Sequence, residues 1–178
     1  MGGSFAARGP SDKPGLAGRP PQAYDNRHLA KEFTVKQLLQ PTDLGGWLGD
    51  IGILILRVFA GLSLALAHGA GKLPPAAGFV QYLGTLGVPV PPASAWAAAL
   101  AEFCGGLLLA AGLLTRPAAI PVMFTMGVAA FVAHGGDPFA KRELALFFGV
   151  AALTIFLTGP GMLSLDRLLF GRKRTITV

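Results

Sequence analysis

Residues 48–70 read LGDIGILILRVFAGLSLALAHGA, and this stretch decides the fold. Its only ionisable residues are Asp50, Arg57 and His68. A helix needs about 20 mainly apolar residues to cross a bilayer, within a range of about 17–25, and this run satisfies it. Three further apolar segments follow. Residues 93–114 carry one charge, Glu102; residues 117–133 carry none; residues 144–157 are headed by Glu143. The last two lie at or below the lower limit, so flanking residues or local thinning of the bilayer must make up the difference. None of the segments alternates polar and apolar residues, which excludes a β-barrel. The expected fold is all-α: a four-transmembrane-helix bundle with a largely extended N-terminal tail and short interfacial helices.

Composition agrees. The 178 residues suit one domain, and 52% of them are hydrophobic against 13% charged, where soluble domains carry about 25% charged residues. The excess of 15 Lys+Arg over 9 Asp+Glu fits either a nucleic-acid binder or a membrane protein. The hydrophobicity decides for the membrane, with lipids as partners and no nucleic acid. A single cysteine, Cys104, excludes an internal disulfide framework and any multi-cysteine metal site, so no metal is assigned. Its place in an apolar span makes it a small core residue.

The chain divides at 45 and 170. Residues 1–45 read as a partly disordered cytoplasmic tail, rich in Gly, Pro, Ala and Arg up to Pro21. It lacks the apolar run of a cleaved signal peptide. Within it, Leu29, Phe33, Val35, Leu38 and Leu39 recur among charged residues, as in a short amphipathic helix over 24–40 on the membrane surface. Residues 46–170 form the membrane domain, with Trp47 as an interfacial anchor. Pro117 falls at the first helical position of the third segment. Phe79, Val80, Leu83 and Leu86 space a short amphipathic helix between the first two segments. A short helix over 162–170 sets Ser164, Asp166 and Arg167 against Leu163, Leu165, Leu168 and Leu169. Residues 171–178 are a basic tail whose Arg172–Lys173–Arg174 cluster suits anionic lipid. Eleven lysines and arginines fall on the side of the termini and three, Lys72, Lys141 and Arg142, on the other. Both termini are therefore expected to be cytoplasmic, in the plasma (inner) membrane.

Ionisable residues within spans are costly and mark function. Arg57 and His68 are eleven residues apart, three helical turns, so they share a face, and Lys72 extends it by a turn. Glu102 lies about two turns into the second segment, on a face of small residues that lets a neighbouring helix approach. His134 ends the third segment and Glu143 begins the fourth. His68, Lys72, Glu102, His134 and Glu143 thus gather in the outer half of the bundle. Arg57 lies deeper, within reach of Glu102, and the two are expected to pair. One reading is a structural ion pair. Another is an outward-facing polar pocket for a proton-carrying or quinone-like ligand, or for a lipid headgroup. The proton-exchanging candidates are Glu102, His68 and His134; the binding candidates are Arg57, Lys72 and Glu143. A haem between His68 and His134 requires both rings to face one cavity, and their places at helix ends speak against it.

The ordered set of short motifs resembles the DoxX family of small four-helix membrane proteins. It comprises Leu56-Arg57, His68-Gly69 with Lys72, and Leu86-Gly87-Val88-Pro89. Glu102-Phe-Cys-Gly105-Gly106 and the hairpin Gly112-Leu-Leu-Thr-Arg116 follow. His134, Glu143-Leu-Ala-Leu146, Gly159-Pro160-Gly161 and Ser164-Leu-Asp-Arg167 complete it. The resemblance covers residues 48–170 and implies a four-helix bundle in the plasma membrane. It also implies an association with redox chemistry, since relatives include a subunit of thiosulfate:quinone oxidoreductase. The first 45 residues lie outside the family pattern and suggest a docking arm.

Three functions compete. The chain is a subunit of a quinone-linked redox complex, a structural accessory subunit of a larger membrane assembly, or a small-solute or lipid carrier acting as an oligomer. Nothing in it supplies an intrinsic redox centre, so the first reading requires a partner that does, and whether the chain is itself an enzyme stays open.

Overall fold

The computed structural model describes residues 46–171, which form helices with no strand among them. Helix α1, Trp47–Lys72, is α-helical over Trp47–Leu62, π-helical over Ser63–Gly69, and ends in a 3₁₀ turn at Ala70–Lys72. The short α2, Ala77–Thr85, comes next. Helix α3, Pro91–Ala111, holds a π-helical segment at Ala101–Gly105. Helix α4, Thr115–Ala133, closes in another at Ala129–Ala133. Helices α5, Phe139–Thr158, and α6, Leu165–Phe170, complete the described residues. Helices α1, α3 and α4, of 26, 21 and 19 residues, are long and apolar enough to cross a membrane. Helix α5 has 20 residues but begins at Phe139, so Lys141, Arg142 and Glu143 occupy its first turns and shorten its apolar stretch. The amphipathic segment expected over 24–40 and the Arg172–Arg174 cluster lie outside the described residues.

The core is built where α1, α3, α4 and α5 meet, from Leu64, Leu109, Val122, Met126, Phe148 and Ile155 among others. Phe59, Phe124, Phe131, Val150 and Leu157 stay exposed around the bundle, as suits a surface solvated by lipid chains. The hydrophobic effect does not hold helices together there, so close backbone approach does. Helices α1 and α3 use this route. A Cβ added at Gly61 would stand 2.5 Å from the Gly106 carbonyl oxygen, and one at Gly69 would stand 2.5 Å from the Phe103 amide nitrogen. Both obstacles are backbone and cannot swing aside. Gly61→Ala should therefore destabilise the bundle by about 1–3 kcal/mol, the usual range for overpacking. Gly78→Ala on α2, where an added Cβ meets nothing within 4 Å, serves as the control. Equal denaturation midpoints for the two variants in detergent would refute this account of the α1–α3 contact.

The bundle has a hairpin end, where α3 turns into α4, and a loop end, which carries residues 134–138. At the hairpin end Gly112 and Leu114 both adopt left-handed backbone, with φ of 67° and 47°. Helix α4 starts at Thr115, so Pro117 takes its third position rather than the first. Either place suits proline, because the N–H groups of a first turn have no intrahelical acceptor.

Asp166 corrects the expected solvent-facing position on the last helix. It is buried, and its carboxylate accepts hydrogen bonds from the Leu114 and Thr115 amides at 2.7 and 3.0 Å. It thereby caps α4 at the positive end of the helix dipole. The amide of Asp166 donates to Gly112 O at 2.8 Å, and buried Asp50 accepts from the Met162 amide at 2.8 Å. These bonds tie the segment after α5 back onto α1 and the hairpin. Cys104 is exposed on the side of α3 away from Glu102, which corrects its assignment to the core.

Candidate functional site

A cavity of about 180 Å³ opens between α1, α3, α4 and α5 toward the loop end. His68, Lys72, Glu102 and His134 line it, as their helical positions predict, together with Leu64, Met126, Ala129 and Phe148. Glu102 is buried, with only 3% of its side chain exposed, and Lys72 Nζ donates to both its carboxylate oxygens at 2.6 and 2.7 Å. Lys72 also stands over the Phe79 ring, 5.5 Å from its centroid, a favourable place for an ammonium. The His68 ring meets Phe148 edge-on at 5.5 Å. His134 Nδ1 lies 2.9 Å from Asp137 Oδ2, and Lys141 Nζ lies 3.9 Å from Oδ1 of the same carboxylate.

Asp137 sits in the loop between α4 and α5. The hydrogen bond to His134 holds its carboxyl below the ordinary carboxylate range; desolvation acts the other way, and Lys141 adds to the lowering. The carboxylate therefore stays charged at neutral pH. Its stabilising effect is full above the unfolded value of about 3.9 and fades as pH falls through the lower folded value.

All three π-helical segments meet this cavity. Leu64 and His68 belong to the first, Glu102 to the second and Ala129 to the third. His134 comes directly after the third, its amide bonded to Ala129 O five residues back at 3.0 Å. A π turn adds a residue to the helical turn, widens it and rotates the residues beyond it, and such turns recur at functional sites. No proline marks these segments in the sequence. The first two hold an ionisable residue, His68 and Glu102, and the third holds none.

The expected pair of Arg57 with Glu102 is not formed. Arg57 is buried, but its guanidinium donates to the carbonyl oxygen of Ala110 at 3.1 Å and to that of Leu163. Both partners are at the hairpin end, whereas Glu102 lies level with Gly69 near the loop end. Side chains lean toward the N-terminus of their own helix. In antiparallel α1 and α3 that rule sends Arg57 and Glu102 in opposite directions, and it sends Lys72 toward Glu102. Arg57 therefore does not line the cavity. Glu143 does not line it either and is exposed. The cavity-facing residues of α5 are Lys141, Leu144, Ala145 and Phe148, one helical stripe that passes Glu143 by. Spacing along α5 puts Lys141 and Phe148 on one stripe, but which stripe meets the cavity is set by how α5 packs on its neighbours. His68 and His134 do share a cavity, but its volume suits about one six-membered ring, since an engineered cavity of about 150 Å³ holds benzene. A porphyrin does not fit.

Comparison with known proteins agrees with this architecture. The DoxX family pattern matches residues 52–135. Inner membrane protein YqjF of Escherichia coli (strain K12) is 36% identical over 134 residues, covering 68% of this chain and 95% of that protein. Inner membrane protein YphA of the same organism is 32% identical over 124 residues, covering 65% and 89%. The Bacillus subtilis (strain 168) protein named "Putative oxidoreductase CatD" is 30% identical over 126 residues, covering 70% and 92%. No solved structure matches the chain. With its membrane-length helices, its ordered motifs and relatives matched over nearly their whole length, the chain belongs to the DoxX family.

Proposed function

We propose that the chain is an inner-membrane subunit that holds the ring of a quinone-like ligand beside Glu102, in a complex whose partner carries the redox centre. One observation carries the reading: a buried carboxylate, its ammonium partner and two imidazoles line a ring-sized cavity toward the loop end of the bundle. The name of the Bacillus subtilis relative supports a redox setting, and the names of the two Escherichia coli relatives support the inner membrane. Helix α5 serves as the fourth span, and the bias of basic residues supports a cytoplasmic side for both termini. The N-terminal tail serves as the docking arm for the partner. Reduction of a quinone takes up two electrons and two protons. The electrons come from the partner's redox centre, and Glu102, His68 and His134 exchange the protons. Lys72 keeps the carboxylate in place, while Arg57 holds the fold at the hairpin end.

The test is equilibrium binding of a tailless benzoquinol, whose hydroxyls can donate to the Glu102 carboxylate, to the full chain in lipid nanodiscs kept reduced. Glu102→Gln keeps the shape and removes the charge; His68→Ala removes one ring from the wall. Glu102→Gln should weaken binding at least about tenfold, since a hydrogen bond to a charged group contributes about 1.5–3 kcal/mol, and His68→Ala should weaken it as well by removing part of the wall. Glu143→Gln, outside the cavity, should bind like the wild type. If both cavity variants also bind like the wild type, the Lys72–Glu102 pair is a strut and the chain is a structural accessory subunit.

A further inference from the structure

A second concavity adjoins the polar one. A groove of about 210 Å³ runs between α4 and α5 on the lipid-facing side, and Met126 and Ala145 line both it and the cavity. Those two side chains are the partition between the polar chamber and the surface of the bundle. One is a flexible thioether and the other a single methyl group, so the partition is thin and readily moved. The groove is a trough because glycines floor it. A Cβ added at Gly127 would meet nothing within 4 Å, and one at Gly149 would come only to 3.4 Å from Met126 Cβ. Exposed Phe131 and Val150 stand at its sides. None of its lining residues is ionisable.

We propose that the ligand reaches the cavity sideways from the bilayer, past Met126 and Ala145, and that its apolar tail lies in the α4–α5 groove. This rests on the reading of the cavity as a ring site and names the ligand class: a polar ring carrying a long hydrocarbon or isoprenoid chain. Continuity is the argument. A head held beside Glu102 with its chain leaving past Ala145 is led into the groove. Lipid chains are as apolar as the groove walls, so the groove adds no hydrophobic driving force; it selects by shape and by its connection to the head site.

The experiment compares two benzoquinols with the same ring, one tailless and one bearing a decyl chain, on the full chain in reduced nanodiscs of one lipid composition. Gly127→Leu and Gly149→Leu each place a side chain in the trough, and Gly127→Leu has open space for it. The variants should bind the tailless ring like the wild type and the decyl compound about tenfold more weakly. If the wild type binds the decyl compound no differently from either variant, the groove proposal is overturned and the ring site stands. If the variants lose the tailless ring as well, the groove proposal also fails, because the glycines then act on the cavity itself. If the wild type binds neither compound, the ring site falls and the groove proposal with it.

Discussion

Arg57→Met is expected to loosen the hairpin end of the bundle and to lower stability by about 2–4 kcal/mol, the lower part of the roughly 1–3 for each of the two part-buried carbonyls left without a donor. The guanidinium belongs to the largest fully buried side chain among the described residues. It joins three pieces of chain: α1, the end of α3 through Ala110 O, and the stretch after α5 through Leu163 O. Asp166 is the carboxylate acting on it electrostatically. Glycine at 112 is part of the same arrangement. Its backbone has φ of 67°, and an added Cβ would overlap the guanidinium and stand 2.7 Å from Ser164 Cβ. Hydrogen exchange should show the loss first in residues 159–171, because the variant removes the tie from Leu163 O to α1. Unchanged exchange in that segment, with an unchanged unfolding midpoint in detergent, would sink the assignment.

The second large effect concerns the cavity pair. Lys72→Met leaves the Glu102 carboxylate buried without its ammonium, and breaking a buried pair costs about 3–5 kcal/mol. Because about a third of the Lys72 side chain remains exposed (34%), the lower end of that range is expected. Glu102→Gln, which removes the charge with the site intact, should cost less. The two changes together should be milder than their sum by about 1–3 kcal/mol, the coupling of residues in contact. Glu143→Ala, on an exposed position, should stay within about 0.5 kcal/mol of the wild type. Strict additivity of the Lys72 and Glu102 variants would mean that the pair contributes nothing as a pair.

Much of this protein was legible in the order of its residues. The long apolar runs dictate helices, because a backbone in hydrocarbon must satisfy its own hydrogen bonds. The proline and glycine clusters mark where those helices stop. Helical spacing along the first segment, and the places of Glu102 and His134 within theirs, put His68, Lys72, Glu102 and His134 toward one end, since helical periodicity is a local property of the chain.

Which charge meets which was decided by the tertiary structure. Arg57 and Glu102 both lie in apolar spans, and counting residues brings them near; the lean of side chains toward each helix N-terminus separates them. Asp166 looks like a surface residue of a short amphipathic helix until the α3–α4 hairpin brings two unpaired amides to it. The three π turns leave no trace in composition, yet they widen the helices around the cavity. Glu143 and Lys141 are two residues apart on one charged run, and only the rotation of α5 against its neighbours turns Lys141 to the cavity and Glu143 away. Periodicity along a helix is set by its own backbone; the register and rotation between helices are set by contacts such as Gly61 on Gly106, which exist only once the chain has folded.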